Sequence, residues 1–143
     1  KNLVSMKKKI IFIVNIDSFF VSHRLQIATT LLSEGYEVHL ATEFTKHKSK
    51  LDKMGLITHN IKFNRNSLNI GRVFISLIEI FFLLKKIRPN ILHLISLKPV
   101  FLGGLISFIS PVKTVVISIT GLGSMFLGNG IIFRIRLILL NFI

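Results

Sequence analysis

Three short stretches carry side chains suited to holding an anion, and little else in the chain offers chemistry. The first is the run Asn15-Ile-Asp-Ser-Phe-Phe-Val-Ser-His-Arg24. A helix start, hydroxyls and the guanidinium of Arg24 would together make an anion-friendly crevice there. Ser22 would equally serve as a helix N-cap, with Phe19 and Phe20 packing as a staple, and both readings can hold of one loop. The second is Ser96-Leu97-Lys98-Pro99, which puts a lysine at a helix start. A cation is electrostatically unfavourable at that end, so it hints at a bound anion, against the alternative of a snorkelling surface lysine. The third is Thr120-Gly121-Leu122-Gly123-Ser124, whose backbone amides could cradle a phosphate or approach a sugar closely.

Other chemistries find no foothold. The Gly121 and Gly123 pair lacks a third glycine and follows the fifth predicted strand rather than the first, so it is not a dinucleotide fingerprint, and no cofactor is expected. His23, His39, His47, His59 and His93 show no metal-ligand spacing and read as structural, His93 as a packed core residue. There is no Gly-x-Ser-x-Gly elbow and no cysteine, which excludes thiolate nucleophiles, disulfides and Cys-based zinc sites. One tyrosine, no tryptophan and phenylalanines embedded in apolar runs leave no platform for stacking single-stranded bases, so no nucleic acid is expected.

The composition is that of one core-forming domain. The chain has 143 residues, 50% of them hydrophobic and 17% charged, with a mean hydropathy of +0.65. This is far from the composition of a disordered tail. Nineteen Lys and Arg against six Asp and Glu give a formal charge of +13, which favours phosphorylated ligands, nucleic acid or an anionic lipid leaflet without choosing among them. Lys7 to Lys9 ahead of Ile10 to Val14 imitates a signal peptide, but the apolar run is short and no small-residue cleavage site follows. Residues 114–133 lack charge, yet they contain Gly121, Gly123, Gly128, Asn129 and Gly130, which suits a strand and a glycine-rich loop better than a membrane span. The run Val73 to Leu84 is too short to span and predicts a buried or interfacial helix.

The elements that must position these residues alternate. Residues 9–16 form a continuous β-branched and aromatic run, the pattern of a central parallel strand buried on both faces. A helical pattern follows from Ser22 and ends at Gly35. Tyr36 to Ala41 is a second strand, and a basic helix with Lys46, Lys48, Lys50 and Lys53 then ends at Gly55. Ile57 to Phe63 alternates as a third strand. The polar cluster Asn66 to Asn69 caps a long helix that Pro89 stops at Arg88. Ile91 to Ser96 is a fourth strand, Pro99 suits the first position of the next helix, and Val115 to Ile119 is a fifth strand. This order predicts an α/β fold: a parallel sheet of about five or more strands with helices on both faces, Rossmann-like. Residues 1–6 read as an extension and 7–143 as the domain. The apolar stretch Ile131 to Ile143 leads us to expect truncation at the right-hand boundary.

Four segments in order, Lys9 to Leu25, Leu32 to Thr42, Arg88 to Pro99 and Ile119 to Ser124, resemble the N-terminal domain of family 4-like glycosyltransferases of the two-Rossmann GT-B architecture, particularly those building bacterial capsule and O-antigen. The resemblance covers about residues 7–128. It implies an acceptor-binding half facing a second domain that holds most of the nucleotide-sugar donor, and that C-terminal donor domain is absent from this chain. On its own the chain is then expected to be inactive. By position, Asp17, Ser18, His23 and Arg24 are the acceptor-side candidates, with Lys98, Thr120, Gly121, Gly123 and Ser124 lining the same crevice. Arg24 and Lys98 would bind phosphate, and the amides of 121–124 would contact sugar or diphosphate. Many relatives carry a histidine just after the fifth strand, whereas this chain has Ile119-Thr120-Gly121, so no catalytic residue is assigned.

The implied partners are a nucleotide-sugar and a glycan or polyprenyl-linked acceptor. Helix 70–88 and the lysines of 46–53 fit a cytoplasmic protein leaning on the inner face of the plasma membrane, the alternative being a buried helix and a solvated basic face. Two competing readings stay open: a non-catalytic Rossmann-like subunit or remnant binding a phosphorylated ligand or a partner subunit, and a membrane-anchored structural protein using 114–133 as a span.

Overall fold

The computed structural model describes residues 7–63 and 70–119. They form β1 (Lys9–Ile16), α1 (Asp17–His23), α2 (Leu25–Ser33), β2 (Glu37–Glu43), α3 (Lys48–Lys53), β3 (Ile57–Asn60), α4 (Ile70–Ile87), β4 (Ile91–Ile95), α5 (Leu97–Ser107) and β5 (Thr114–Ser118). The strands make one parallel sheet in the order β3-β2-β1-β4-β5. The fold class expected from the sequence is therefore present, with the first strand at the centre as its uninterrupted apolar run requires.

Alternation along β1 divides the interior in two. Ile11 and Ile13 join Ile80, Leu84, Leu92 and Leu94 in a core beneath α4 and α5. Ile10, Phe12 and Val14 join Phe20, Ala28, Val38 and Leu40 in a second core beneath α1, α2 and α3. Side chains of period two on one strand thus serve both layers.

Two helix ends follow one design. Gly35 donates to Leu32 and Tyr36 donates to Leu31, while Gly55 donates to Asp52 and Leu56 donates to Leu51, all at 3.0–3.2 Å. These are Schellman closures, and they need φ of +84° and +94°, which glycine adopts without strain.

Several boundaries differ from the sequence reading. The helical region starts at Asp17, not Ser22, because the chain turns into α1 directly from β1 and breaks only at Arg24. Ser22 lies inside α1 and donates to the carbonyl of Ser18, four residues back, so it is no N-cap. β2 runs two residues past Ala41, to Glu43. β3 stops at Asn60, although Ile61 still donates to Thr42 and both Ile61 and Phe63 are buried. Pro99 is the third residue of α5 rather than the first. Thr114–Ser118 is a strand, contrary to the membrane-span reading, and no described helix is long and apolar enough to cross a membrane. The cap cluster 66–69, the extension 1–6, the glycine-rich 120–124 and the tail 131–143 lie outside the described residues.

Candidate functional site

β1 connects to β2 on one side, while β4 and β5 lie on the other. The connections leaving β1 and β4 diverge at such a switch point and open a crevice beyond the strands' carboxyl ends, where open parallel sheets bind ligands.

Asp17 sits at this edge as the first residue of α1, but it faces inward. It is fully buried, and its carboxylate accepts the backbone N–H groups of Thr45, Lys46 and His47 at 3.1, 3.1 and 2.8 Å and the Thr45 hydroxyl at 2.7 Å. Burial opposes its charge, but the His47 N–H, the Thr45 hydroxyl and the other two amides prevail and hold its pKa at about 2. Its chemistry is to fasten the loop between β2 and α3. The Asp17 carboxylate is thus engaged by the amides of 45–47 and is not a free group in the crevice expected after β1.

Ser18 is half-buried in the first turn, its carbonyl taken by Ser22. His23 is exposed at the end of α1, stacks on Phe19 with ring centres 4.3 Å apart, and places Nδ1 3.2 Å from the Phe19 carbonyl. It lines a shallow surface depression with Ser22 and Met54. Arg24 occupies the break between α1 and α2. Its Nη1 donates to the His23 carbonyl at 3.2 Å, while its Nε is buried and donates to nothing. The guanidinium acts electrostatically on His93, whose pKa is lowered by burial first and by Arg24 second. His93 is more than core filling: it packs against Phe12 at 5.1 Å and lies 2.8 Å, Nε2 to Oγ, from Ser118 at the end of β5.

Lys98, in the first turn of α5, does not wait for an anion. Its Nζ donates to the Phe63 carbonyl, and it feels the carboxylate of Glu43. Burial lowers its pKa and Glu43 opposes that shift. Just before it, Ser96 holds φ +75°, a conformation that side-chain-bearing residues rarely adopt, at the join of β4 and α5. Thr120, Gly121, Gly123 and Ser124, which follow β5, fall outside the described residues.

Two residues at this edge were not among the named candidates, although Asn15 opens the first of the three stretches. Asn15 Oδ1 and Glu43 Oε2 are buried and accept no hydrogen bond, as is the Oγ1 of the neighbouring Thr42. Glu43 ends β2 and stands two residues past Ala41, so the rule of inspecting residues just after each strand reaches it from the sequence as well. A separate histidine pair lies near the other end of the sheet: His39 Nδ1 is 2.9 Å from His59 Nε2, and His39 Nε2 is 2.8 Å from Glu37. Among the described residues, no group of three His, Cys, Asp or Glu is arranged to hold a metal.

A family model described as "Glycosyl transferase 4-like" matches residues 9–141. No curated protein matches the chain. Among solved structures, a glycosyltransferase from Rickettsia africae aligns at 19% identity and TM-score 0.63, over 90% of this chain and 35% of that one. MurG from Acinetobacter baumannii aligns at 12% identity and TM-score 0.57, over 77% of this chain and 34% of that one. The C-terminal domain of a Pyrococcus furiosus hydrogenase also aligns, at 14% identity and TM-score 0.55, over 82% of this chain and 97% of that one. At such identities the likeness is one of fold. The chain spans about a third of the length of the two glycosyltransferases.

Proposed function

This chain belongs to the glycosyl transferase 4-like family, and from that premise we propose that it is the acceptor-binding half of an enzyme moving a sugar from a nucleotide-sugar to a glycan or polyprenyl-linked acceptor in bacterial surface polysaccharide synthesis, of the capsule or O-antigen kind. The observation carrying this reading is the buried, unpartnered Nε of Arg24, in the break between α1 and α2, whose charge acts on His93 of β4. An N–H of a guanidinium with no acceptor among the described residues suits a phosphate oxygen, as on a lipid-linked diphosphate. The nucleotide-sugar falls to a second domain of the whole enzyme, a division that the length of the aligned glycosyltransferases leaves room for.

Steady-state kinetics of the complete enzyme with Arg24→Ala test it. Loss of a charge-assisted hydrogen bond should raise the acceptor KM about tenfold or more and leave the donor KM alone. An unchanged acceptor KM would remove Arg24 from the site.

We also infer that this half rests on an anionic membrane surface. Supporting this, α4 exposes Phe74, Ile75, Ile78 and Phe82, the neighbouring α5 exposes Phe101 and Leu105, and the turn after α5 exposes Phe108 and Ile109. Arg72, Lys85 and Lys86 stand exposed on α4 itself. Apolar faces of this size flanked by cations suit the boundary between headgroups and acyl chains.

A further inference from the structure

Two buried acceptors without donors stand at the carboxyl ends of adjacent strands: Asn15 Oδ1 on β1 and Glu43 Oε2 on β2. Folded chains leave very few such atoms, because an acceptor stripped of water and given no partner is unfavourable. A second observation falls on the same place. The β1 and β2 ladder is in register from Lys9 opposite Glu37 to Ile13 opposite Ala41, then slips, so that Ile16 stands opposite Glu43. Asn15 lies within that irregularity, the kind of local insertion that re-aims side chains beside binding sites.

The electrostatics choose the partner. Glu43 and the Lys98 ammonium act on each other, so the spot carries one charge of each sign. A phosphate arriving there would face the Glu43 carboxylate. A neutral hydroxyl would donate to it and to Asn15 without like-charge repulsion. Arg24 presents the opposite need, an N–H seeking an acceptor.

From this we propose that Asn15 and Glu43 bind the hydroxyl groups of a carbohydrate ligand, the sugar portion of the acceptor, while Lys98 balances the Glu43 charge instead of binding phosphate. The proposal rests on the acceptor-side reading above and divides that crevice into a hydroxyl-binding part and a phosphate-binding part.

Titration of the isotope-labelled chain by NMR tests it, with methyl glycosides of glucose, galactose, mannose and N-acetylglucosamine as one set of probes and sodium pyrophosphate at matched ionic strength as the other. At least one glycoside should move the amide resonances of residues 15, 16, 43 and 44. Glu43→Gln should weaken that binding about tenfold, the difference between a charged and a neutral acceptor. Pyrophosphate should leave those amides in place. Amide dispersion reports whether the variant is folded, and Asn15→Ala carries the same test if Glu43→Gln is not. Glycoside binding undiminished in a folded variant overturns the proposal, as does movement of these amides by pyrophosphate. Pyrophosphate binding at Arg24 with no glycoside binding overturns the hydroxyl assignment and leaves the acceptor-side reading standing. Silence with both sets of probes overturns both.

Discussion

The carboxylate of Asp17 receives the backbone N–H of His47 at 2.8 Å across 30 positions of sequence. With the Thr45 and Lys46 contacts, one buried side chain ties the start of α1 to the loop that leads into α3. Asp17→Ala strands three amides and a hydroxyl, and should lower unfolding free energy by about 3 kcal/mol in denaturant titrations.

The same carboxylate gives an acid-sensitive increment of stability. Its folded pKa of about 2 lies below the ordinary 3.8, so its contribution is complete above pH 4 and is lost as pH falls from there toward 2. The total is about 2 kcal/mol. Asp17→Asn should flatten that part of the stability profile.

His59 acts in a higher window. Burial, then the charges of His39 and Lys86, lower its pKa from 6.5 to about 4. The unfolded chain therefore binds the proton more readily, so stability should be intact above pH 6.5 and decline as pH falls toward 4. Urea midpoints across that range should fall in the parent chain and fall less in His59→Asn.

Adjacent glycines in α5 should respond oppositely to alanine. A Cβ on Gly103 would stand 2.4 Å from Leu94 Cδ2, whereas one on Gly104 meets nothing within 4 Å. Gly103→Ala should destabilise by about 1–3 kcal/mol through overpacking against β4, and Gly104→Ala should stabilise by about 0.5–1 kcal/mol through helix propensity. Thermal unfolding of the two variants checks both signs.

Liposome flotation should separate a membrane-facing surface from a solvated one. The chain should float with vesicles containing anionic lipid, less so at high salt, and Phe74→Ser with Phe82→Ser should weaken binding at every salt concentration. Absence of binding to anionic vesicles would sink the membrane inference.

The fold was readable because its signals are local: a both-sides-buried strand at 9–16, glycines at 35 and 55 ending helices, and Pro89 ending α4. The site was less so. Asp17 looks like a ligand-binding carboxylate in sequence, and only the return of the 45–47 loop in space reveals its amide partners. Lys98 looks like an anion ligand until Phe63 and Glu43 are brought to it. Glu43 lies just past the expected strand end at Ala41, but only its burial in the folded chain shows an oxygen left without a donor.

The central placement of β1 also bears on how the chain is made. Lys9 and Asn90, which join the starts of β1 and β4, are 81 positions apart. At about 5–20 residues per second, synthesis leaves one edge of β1 without its neighbour for roughly 4–16 s. For that interval a strand of Ile, Phe and Val presents unpaired backbone to anything nearby. Lys7 and Lys8, directly before it, and Lys9, its first residue, are the kind of charged gatekeepers that keep a waiting edge from pairing with another nascent chain.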